Sequence, residues 1–504
     1  MNREQNRTLY PRTGRHWSRH VAGGTYLFAA IALLLIISFL VPSCAINKAT
    51  GKRQLILISE SQEIQMGKDA DKDIIASMGL YPDSSLQRYI RNLGDELAAK
   101  SERPNLPWTF RLVDDPVVNA FALPGGFVYI TRGIMAYLNS EAELAGVMGH
   151  EIGHVTGKHA VARMSKAQIA QVGLGVGQIL EPSLQKYSQL ANAGLGLLFL
   201  KYSRDDETQA DELGVRYMTR IGDDPRAMVG VMTMLDRVTQ AGGGAGAPEW
   251  LATHPNPGNR RENIQEEVDT MHVDFAKTKL DRDSYLRRLE GLVFGDNPRH
   301  GYFKGSSFYH PDLKFLFVFP EGWQTSNQLQ AVMGVSPNQD VLIQITLSSA
   351  ATPDAAATQF LNQQGISGAR PRAITINGIQ ALWSDFTAQT DQGALAGSAA
   401  FLSHDGKVYQ LLAYGTQQGW ASNGAAATTS LRSFARLTDP KALAVEPMRL
   451  RIVKLDRAMT LQQFADKYPG PVSVEKLALI NRVEPSTELK AGELVKNVVG
   501  EKIE

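Results

Sequence analysis

At 504 residues the chain exceeds what one ordinary hydrophobic core organises, so two to four domains are expected. A hydrophobic content of 43% with 20% charged residues excludes an intrinsically disordered polymer. Net charge is +1. Arg3, Arg7, Arg12, Arg15 and Arg19 against Glu4 carry +4 of it, which leaves about −3 for the rest and no basic face for nucleic acid phosphates.

Behind these arginines, residues 25–41 (TYLFAAIALLLIISFLV) form an uncharged apolar run. It is long enough for a signal-peptide core and marginal for a spanning helix, and its basic flank favours export of the chain beyond it. The single cysteine, Cys44, closes Leu40-Val41-Pro42-Ser43-Cys44, which is similar to the lipobox of bacterial lipoproteins apart from Pro42. Residues 1–43 are thus read as a signal peptide with lipidation at Cys44, or as an uncleaved inner-membrane anchor. Ala45 in place of an aspartate favours sorting to the outer membrane. One cysteine allows no intrachain disulfide, so an exported chain must be held by its cores and a metal.

Residues 55–100 carry apolar side chains at three and four spacing and predict helix. Alternation from Trp108 to Val113 predicts a strand, broken by Asp114-Asp115-Pro116, and residues 119–130 a second extended stretch with a turn at Gly125-Gly126. Ser140 and Glu143 form a capping box, and residues 143–164 read as one helix. Gly146, Gly149, Gly153 and Gly157 each cost that helix up to about 1 kcal/mol, which makes sense only if a partner packs very close. Residues 165–200 are rich in alanine and glycine and suggest helix packing or a helical hairpin; the Gly-Leu-Gly-Val-Gly within them has no preceding strand or following lysine and is no phosphate loop.

Beyond His300 the pattern turns to strands. Residues 314–320 and 341–347 are apolar runs of strand length, and Asn377-Gly378 and Asp405-Gly406 mark two hairpins. With helical stretches at 354–364 and 427–437, residues 300–438 are expected to form an α+β domain. Residues 447–500 predict strand, helix, helix and strand.

The chemistry concentrates at His150-Glu151-Ile152-Gly153-His154. Histidines four apart on a helix project from one face and can share an ion, while Glu151 lies beside the place of a bound water. Zinc needs a third protein ligand and one open position. A third histidine six residues after the second would serve, but Ala160 stands there, and on a continuous helix His159 is turned about 100° away from it. A glutamate from a second helix is the other solution. Ser203 can cap a helix on which Glu207 and Asp211 share a face, Glu207 as ligand and Asp211 as acceptor from a ligand histidine. An acidic first turn would also suit the helix dipole alone.

His150–His154, Glu207 with Asp211, and the Asn119-Ala120-Phe121-Ala122-Leu123-Pro124-Gly125-Gly126 segment resemble the gluzincin family of the CAAX prenyl proteases and bacterial heat-shock membrane proteases, over about residues 55–270. The exported bacterial branch, which includes the β-barrel assembly-enhancing proteases, is the most similar; its tetratricopeptide tail is absent here. The resemblance implies one Zn²⁺ per chain held by His150, His154 and Glu207, and Glu151 as general base. It gives Thr253-His254-Pro255 a place near the metal, where His254 approaches the open position or stabilises the transition state. It also implies proteolysis of unfolded or misassembled envelope polypeptides, with Asn119, Ala120 and Phe121 on a strand placed to bind substrate main chain. The architecture expected is α+β and multidomain: a mainly helical zincin-type protease domain with a small sheet over 44–299, the α+β domain, and a small βααβ unit that resembles a LysM module. That last likeness makes peptidoglycan a candidate partner, although Arg457-Ala458-Met459 departs from the LysM opening. Competing functions are a non-enzymatic envelope lipoprotein scaffold and a cell-wall peptide amidase.

Overall fold

The computed structural model describes residues 44–173, 202–241, 254, 259–390 and 393–502. The apolar run at 25–41, most of the alanine- and glycine-rich stretch and the residues flanking His254 lie outside these, and Cys44 is described only as backbone. Among the described residues no helix is long and apolar enough to cross a membrane.

Strands β1 (Cys44–Ile46) and β2 (Arg53–Leu55) pair as a short antiparallel hairpin. The helical run after them is two helices, α1 (Glu60–Met78) and α2 (Ser84–Ala99). Gly79 at φ 71° ends the first, and Pro82 with the capping Asp83 starts the second. Strands β3 (Thr109–Val113), β4 (Ala120–Leu123) and β5 (Phe127–Thr131) form a sheet in the order β3-β5-β4, with β3 parallel and β4 antiparallel to β5. Strand β4 is therefore an edge. The turn between β4 and β5 needs its glycines: Gly125 and Gly126 sit at φ 83° and 100°, and a Cβ on Gly125 would stand 2.6 Å from the Ile64 Cα.

After α3 (Arg132–Tyr137) comes the central helix α4 (Glu141–Thr156), buried from Ala142 onward. The single helix expected across 143–164 is broken. Gly157 caps α4, Lys158 takes φ 55°, and α5 (His159–Gly173) starts in a new direction. The remaining described helices of this body are α6 (Arg204–Arg220), α7 (Arg226–Ala241), α8 (Arg260–Thr270) and α9 (Arg282–Arg288). Helix α4 packs against α6 backbone to backbone. A Cβ on Gly149 would lie 3.0 Å from the Gly214 carbonyl oxygen, and one on Gly153 3.0 Å from that of Ala210. This close approach accounts for glycines that otherwise weaken the helix. The expected capping box is half made: Ser140 Oγ accepts from the Glu143 amide at 3.1 Å, but Glu143 Oε2 accepts from Asn139 N at 2.7 Å rather than from Ser140. Arg482 explains the diversion, because it holds both Glu143 oxygens at 2.6 and 2.7 Å.

Residues 302–436 build an eight-stranded antiparallel sheet and a four-stranded sheet, with helices Pro353–Leu361 and Gln417–Leu431 packed on them. Two-residue turns at Asn377-Gly378 and Asp405-Gly406, all four residues at positive φ, join Ile376 to Ile379 and His404 to Lys407. The terminal unit pairs Arg449–Lys454 antiparallel with Leu494–Val499 and places helices Leu461–Lys467 and Val474–Asn481 between them. It is no separate bead. Leu450, Phe464, Ile480 and Val498 belong to the same apolar core as α2, α4 and α7. Phe294 N donates to Met448 O and Leu450 N to Leu292 O, each at 2.8 Å, so residues 302–436 are inserted between two stretches that pair with each other. Lys496, fully buried, donates to the carbonyls of Ala136 and Leu138 just ahead of α4, at 2.8 and 2.6 Å. The chain is thus a mixed α+β, multidomain protein.

Candidate metal centre

Helix α4 carries His150 and His154 one turn apart, with their Nε2 atoms 3.0 Å from each other. The close α4–α6 packing brings Glu207, in the first turn of α6, across to them. Its Oε2 lies 3.7 Å from His150 Nε2 and its Oε1 3.6 Å from His154 Nε2. Ser203 caps α6 through a reciprocal box with Asp206, which fixes the start of that helix and hence the height of Glu207. His254 Nδ1 stands 3.0 Å from Glu207 Oε1 and 3.3 Å from His150 Nε2. Donor atoms of these four side chains all fall within 4.8 Å of one another, and none of the four is more than 2% exposed. Glu151, also buried, faces His254 Nε2 from 3.7 Å.

These residues fit a zinc ion. Bonds of about 2.0–2.1 Å in a tetrahedron set donors roughly 3.3 Å apart, and the nearest separations here run from 3.0 to 3.7 Å. Burial, then the neighbouring His150 and His254, push the His154 pKa well down, so its imidazole is neutral and offers a lone pair. Glu207 is held ionised: burial opposes its charge, but His254, His150 and Arg260 outweigh that and lower its pKa. Two facing imidazole nitrogens and a carboxylate, all dry, are a donor set whose natural complement is a cation.

The surrounding shell orients the donors. His150 Nδ1 contacts Asp211 Oδ1 at 2.9 Å, one helical turn beyond Glu207. Arg260, 2% exposed on α8, grips Asp211 at 2.6 and 2.7 Å and lies 2.8 Å from Glu207 Oε2. Burial raises the Asp211 pKa, but the Arg260 charge and the hydrogen bonds from His150 and Arg260 prevail and bring it to about 2. On the other side His154 Nδ1 meets His159 Nδ1 at 2.9 Å, and the Tyr202 ring stacks on His154 with centroids 3.9 Å apart.

Three of these partners escaped sequence reasoning. His159 was expected to face elsewhere on an unbroken helix; the break at Gly157-Lys158 turns it back to His154. Arg260 and Tyr202 sit in no recognisable spacing, though an arginine opening an otherwise polar helix after His254 was the available signal. The segment Asn119–Phe121 precedes and opens strand β4. Its side chains are buried at 6%, 0% and 5% exposure, and Phe121 stacks on Tyr129 in the interior. Among the described residues β4 is the last strand of its sheet, beside a cleft lined by Leu123, Pro124, His154, Val161 and Tyr202.

Residues 84–268 match the family model Peptidase family M48. The chain is 32% identical to the Beta-barrel assembly-enhancing protease of Yersinia pestis over 248 residues, 47% of this chain and 50% of that protein. It is 31% identical to the protein of the same name from Escherichia coli (strain K12) over 253 residues, covering 48% and 51%. Against the Mitochondrial metalloendopeptidase OMA1 of Schizosaccharomyces pombe it is 30% identical over 224 residues, covering 43% and 64%. The chain spans about half the length of the first two relatives, and the part matched by the family model carries His150, His154 and Glu207. Over residues 84–268 the chain is thus similar to peptidase family M48.

Proposed function

We propose that the chain is a zinc-dependent metalloendopeptidase that hydrolyses unfolded or misassembled polypeptides in a bacterial cell envelope. One observation carries this: His150, His154 and Glu207 converge in a dry site with Glu151 next to the first ligand. When bound there, zinc supplies a Lewis acid that acidifies a water and polarises a peptide carbonyl. Glu151 takes the proton of the attacking water and returns it to the leaving amine. Asp211, itself anchored by Arg260, accepts from His150 Nδ1 and leaves that ring's Nε2 lone pair for the metal. On this reading His150, His154 and Glu207 would hold the zinc, and His254, 3.0 Å from Glu207 and 3.7 Å from Glu151, would stand beside the position left open or stabilise the transition state.

The edge of β4 supports binding of an extended substrate as an added strand. Such binding reads main chain, so it selects unfolded segments over compact partners. The basic, apolar N-terminus and Cys44 support a membrane-anchored periplasmic location, as an outer-membrane lipoprotein or through an inner-membrane signal anchor. The terminal βααβ unit is proposed to dock against the protease body, with peptidoglycan contact through its LysM-like surface as a secondary role. Replacing Glu151 with glutamine tests the whole reading. Casein cleavage should fall by at least about a hundredfold with zinc content retained; unchanged cleavage, or activity on muropeptides alone, would refute it.

A further inference from the structure

The two histidines of α4 are oriented by unlike partners. His150 has a carboxylate, Asp211, whereas His154 has another imidazole. We propose that His159 is a positioning residue for His154, holding it in the tautomer that presents Nε2 to the metal. This rests on the zinc-peptidase reading and adds to it a residue from outside the His-Glu-x-x-His segment.

The geometry is built for that contact. His154 Nε2 faces the other donors, so a proton on this ring must reside on Nδ1. Its partner at 2.9 Å is His159 Nδ1, and the two rings stand nearly perpendicular at 82°, which aims an N–H of one at the in-plane lone pair of the other. Both residues are buried, at 2% and 1% exposure, so water does not substitute. With Nδ1 accepting, His159 carries its own proton on Nε2. Gln209, buried nearby, commits its amide nitrogen to Asp205 O at 2.8 Å.

The backbone pays a visible cost for this placement. Lys158, a residue with a Cβ, adopts φ 55° to end α4 and redirect the chain. Gly157 has an ordinary helical φ of −68°, so no backbone strain demands a glycine. The ring does: a Cβ at Gly157 would lie 2.4 Å from His159 Nε2. Gly157 and Lys158 together form a seat for the His159 imidazole.

Three variants of the full chain, measured for zinc affinity by chelator competition and for ligand geometry by the visible spectrum of the cobalt-substituted protein, test the assignment. His159→Phe keeps the ring and removes the acceptor; affinity should fall on the order of ten- to a hundredfold, with an altered cobalt spectrum and an unchanged circular dichroism spectrum. His159→Asn, whose Oδ1 can stand in for Nδ1, should regain most of the loss. Gly157→Ala leaves the acceptor in place but displaces the ring, and should weaken zinc in the same direction; its φ suits alanine, so it serves if the Phe variant fails to fold. Equal losses in the Phe and Asn variants would make His159 a packing residue and overturn the proposal. So would wild-type affinity in the Phe or Gly157→Ala variant. A wild-type chain that binds no zinc would overturn the metal reading itself, a distinguishable result.

Discussion

The spacing between α4 and α6 sets the distance between the histidines and Glu207, and one methyl group should disturb it. A Cβ on Gly214 would meet His150 N at 2.9 Å, His150 Cα at 3.2 Å and the Gly149 carbonyl carbon at 3.3 Å, all main-chain atoms of α4. Restoring ordinary contact near 3.4 Å requires the helices to part by about 0.5 Å. Glu207 rides on the moving helix and both histidines on the fixed one, so its separations of 3.7 Å from His150 and 3.6 Å from His154 widen past the tolerance of about 0.2 Å in a metal–ligand distance. Gly214→Ala should therefore cut zinc affinity on the order of ten- to a hundredfold. Its stability cost is small, because overpacking of about 1–3 kcal/mol is offset by about 1 kcal/mol of helix propensity. Gly146→Ala is the control: its Cβ would be tight only against Met228 Sδ at 3.0 Å, part of a flexible side chain, with Met218 Sδ at 3.6 Å and Met228 Cα at 3.8 Å in ordinary contact. Chelator competition and urea unfolding on both variants decide the matter. Undiminished zinc affinity in Gly214→Ala, or equal losses in the two, would refute the argument.

The Glu143–Arg482 pair ties α4 to the terminal unit, and Arg482→Met should destabilise the protein by about 3 kcal/mol by leaving a buried carboxylate uncompensated. Adding Glu143→Met should recover most of that in urea unfolding, and strictly additive losses would count against the pair. Burial, then the charge of Glu141, raises the Asp223 pKa from 3.8 to about 7. The native protein thus holds a proton that the unfolded chain releases, so stability is full below about pH 4 and is lost as pH rises through about 7. Asp223→Asn should raise Tm at about pH 8 and leave it unchanged at about pH 4; an offset independent of pH in thermal scans would contradict this.

Local signals were readable where one short segment determines the outcome. Asn377-Gly378 and Asp405-Gly406 dictate tight turns, and a histidine pair four apart can meet on a helix whatever surrounds it. Glu207 and Asp211 were legible because a cap and a four-residue spacing place them on one face. What resisted reading depends on two segments at once. The break after Thr156 reflects His159 packing over Gly157, a preference invisible to helical periodicity. Glu143 looks like the partner of Ser140 until Arg482, 339 residues away, competes for it. Arg260 becomes meaningful only once α8 has brought it against Asp211. The terminal unit reads as an independent module because its strand–helix–helix–strand pattern is complete in itself; nothing in the pattern reveals that its apolar face is the missing wall of another core.

That missing wall bears on biosynthesis. Asn139, just before α4, donates to Ile480 O at 3.1 Å across 341 positions of sequence, and Lys496 reaches Ala136 O across 360. The inserted sheets have cores of their own and can fold by themselves. The body that carries the His150–His154 pair cannot, because part of its core comes from residues 449–499 and must close a very long loop. The cluster of His150, His154 and Glu207 is thereby completed only once residues 449–499 have joined the core around α4.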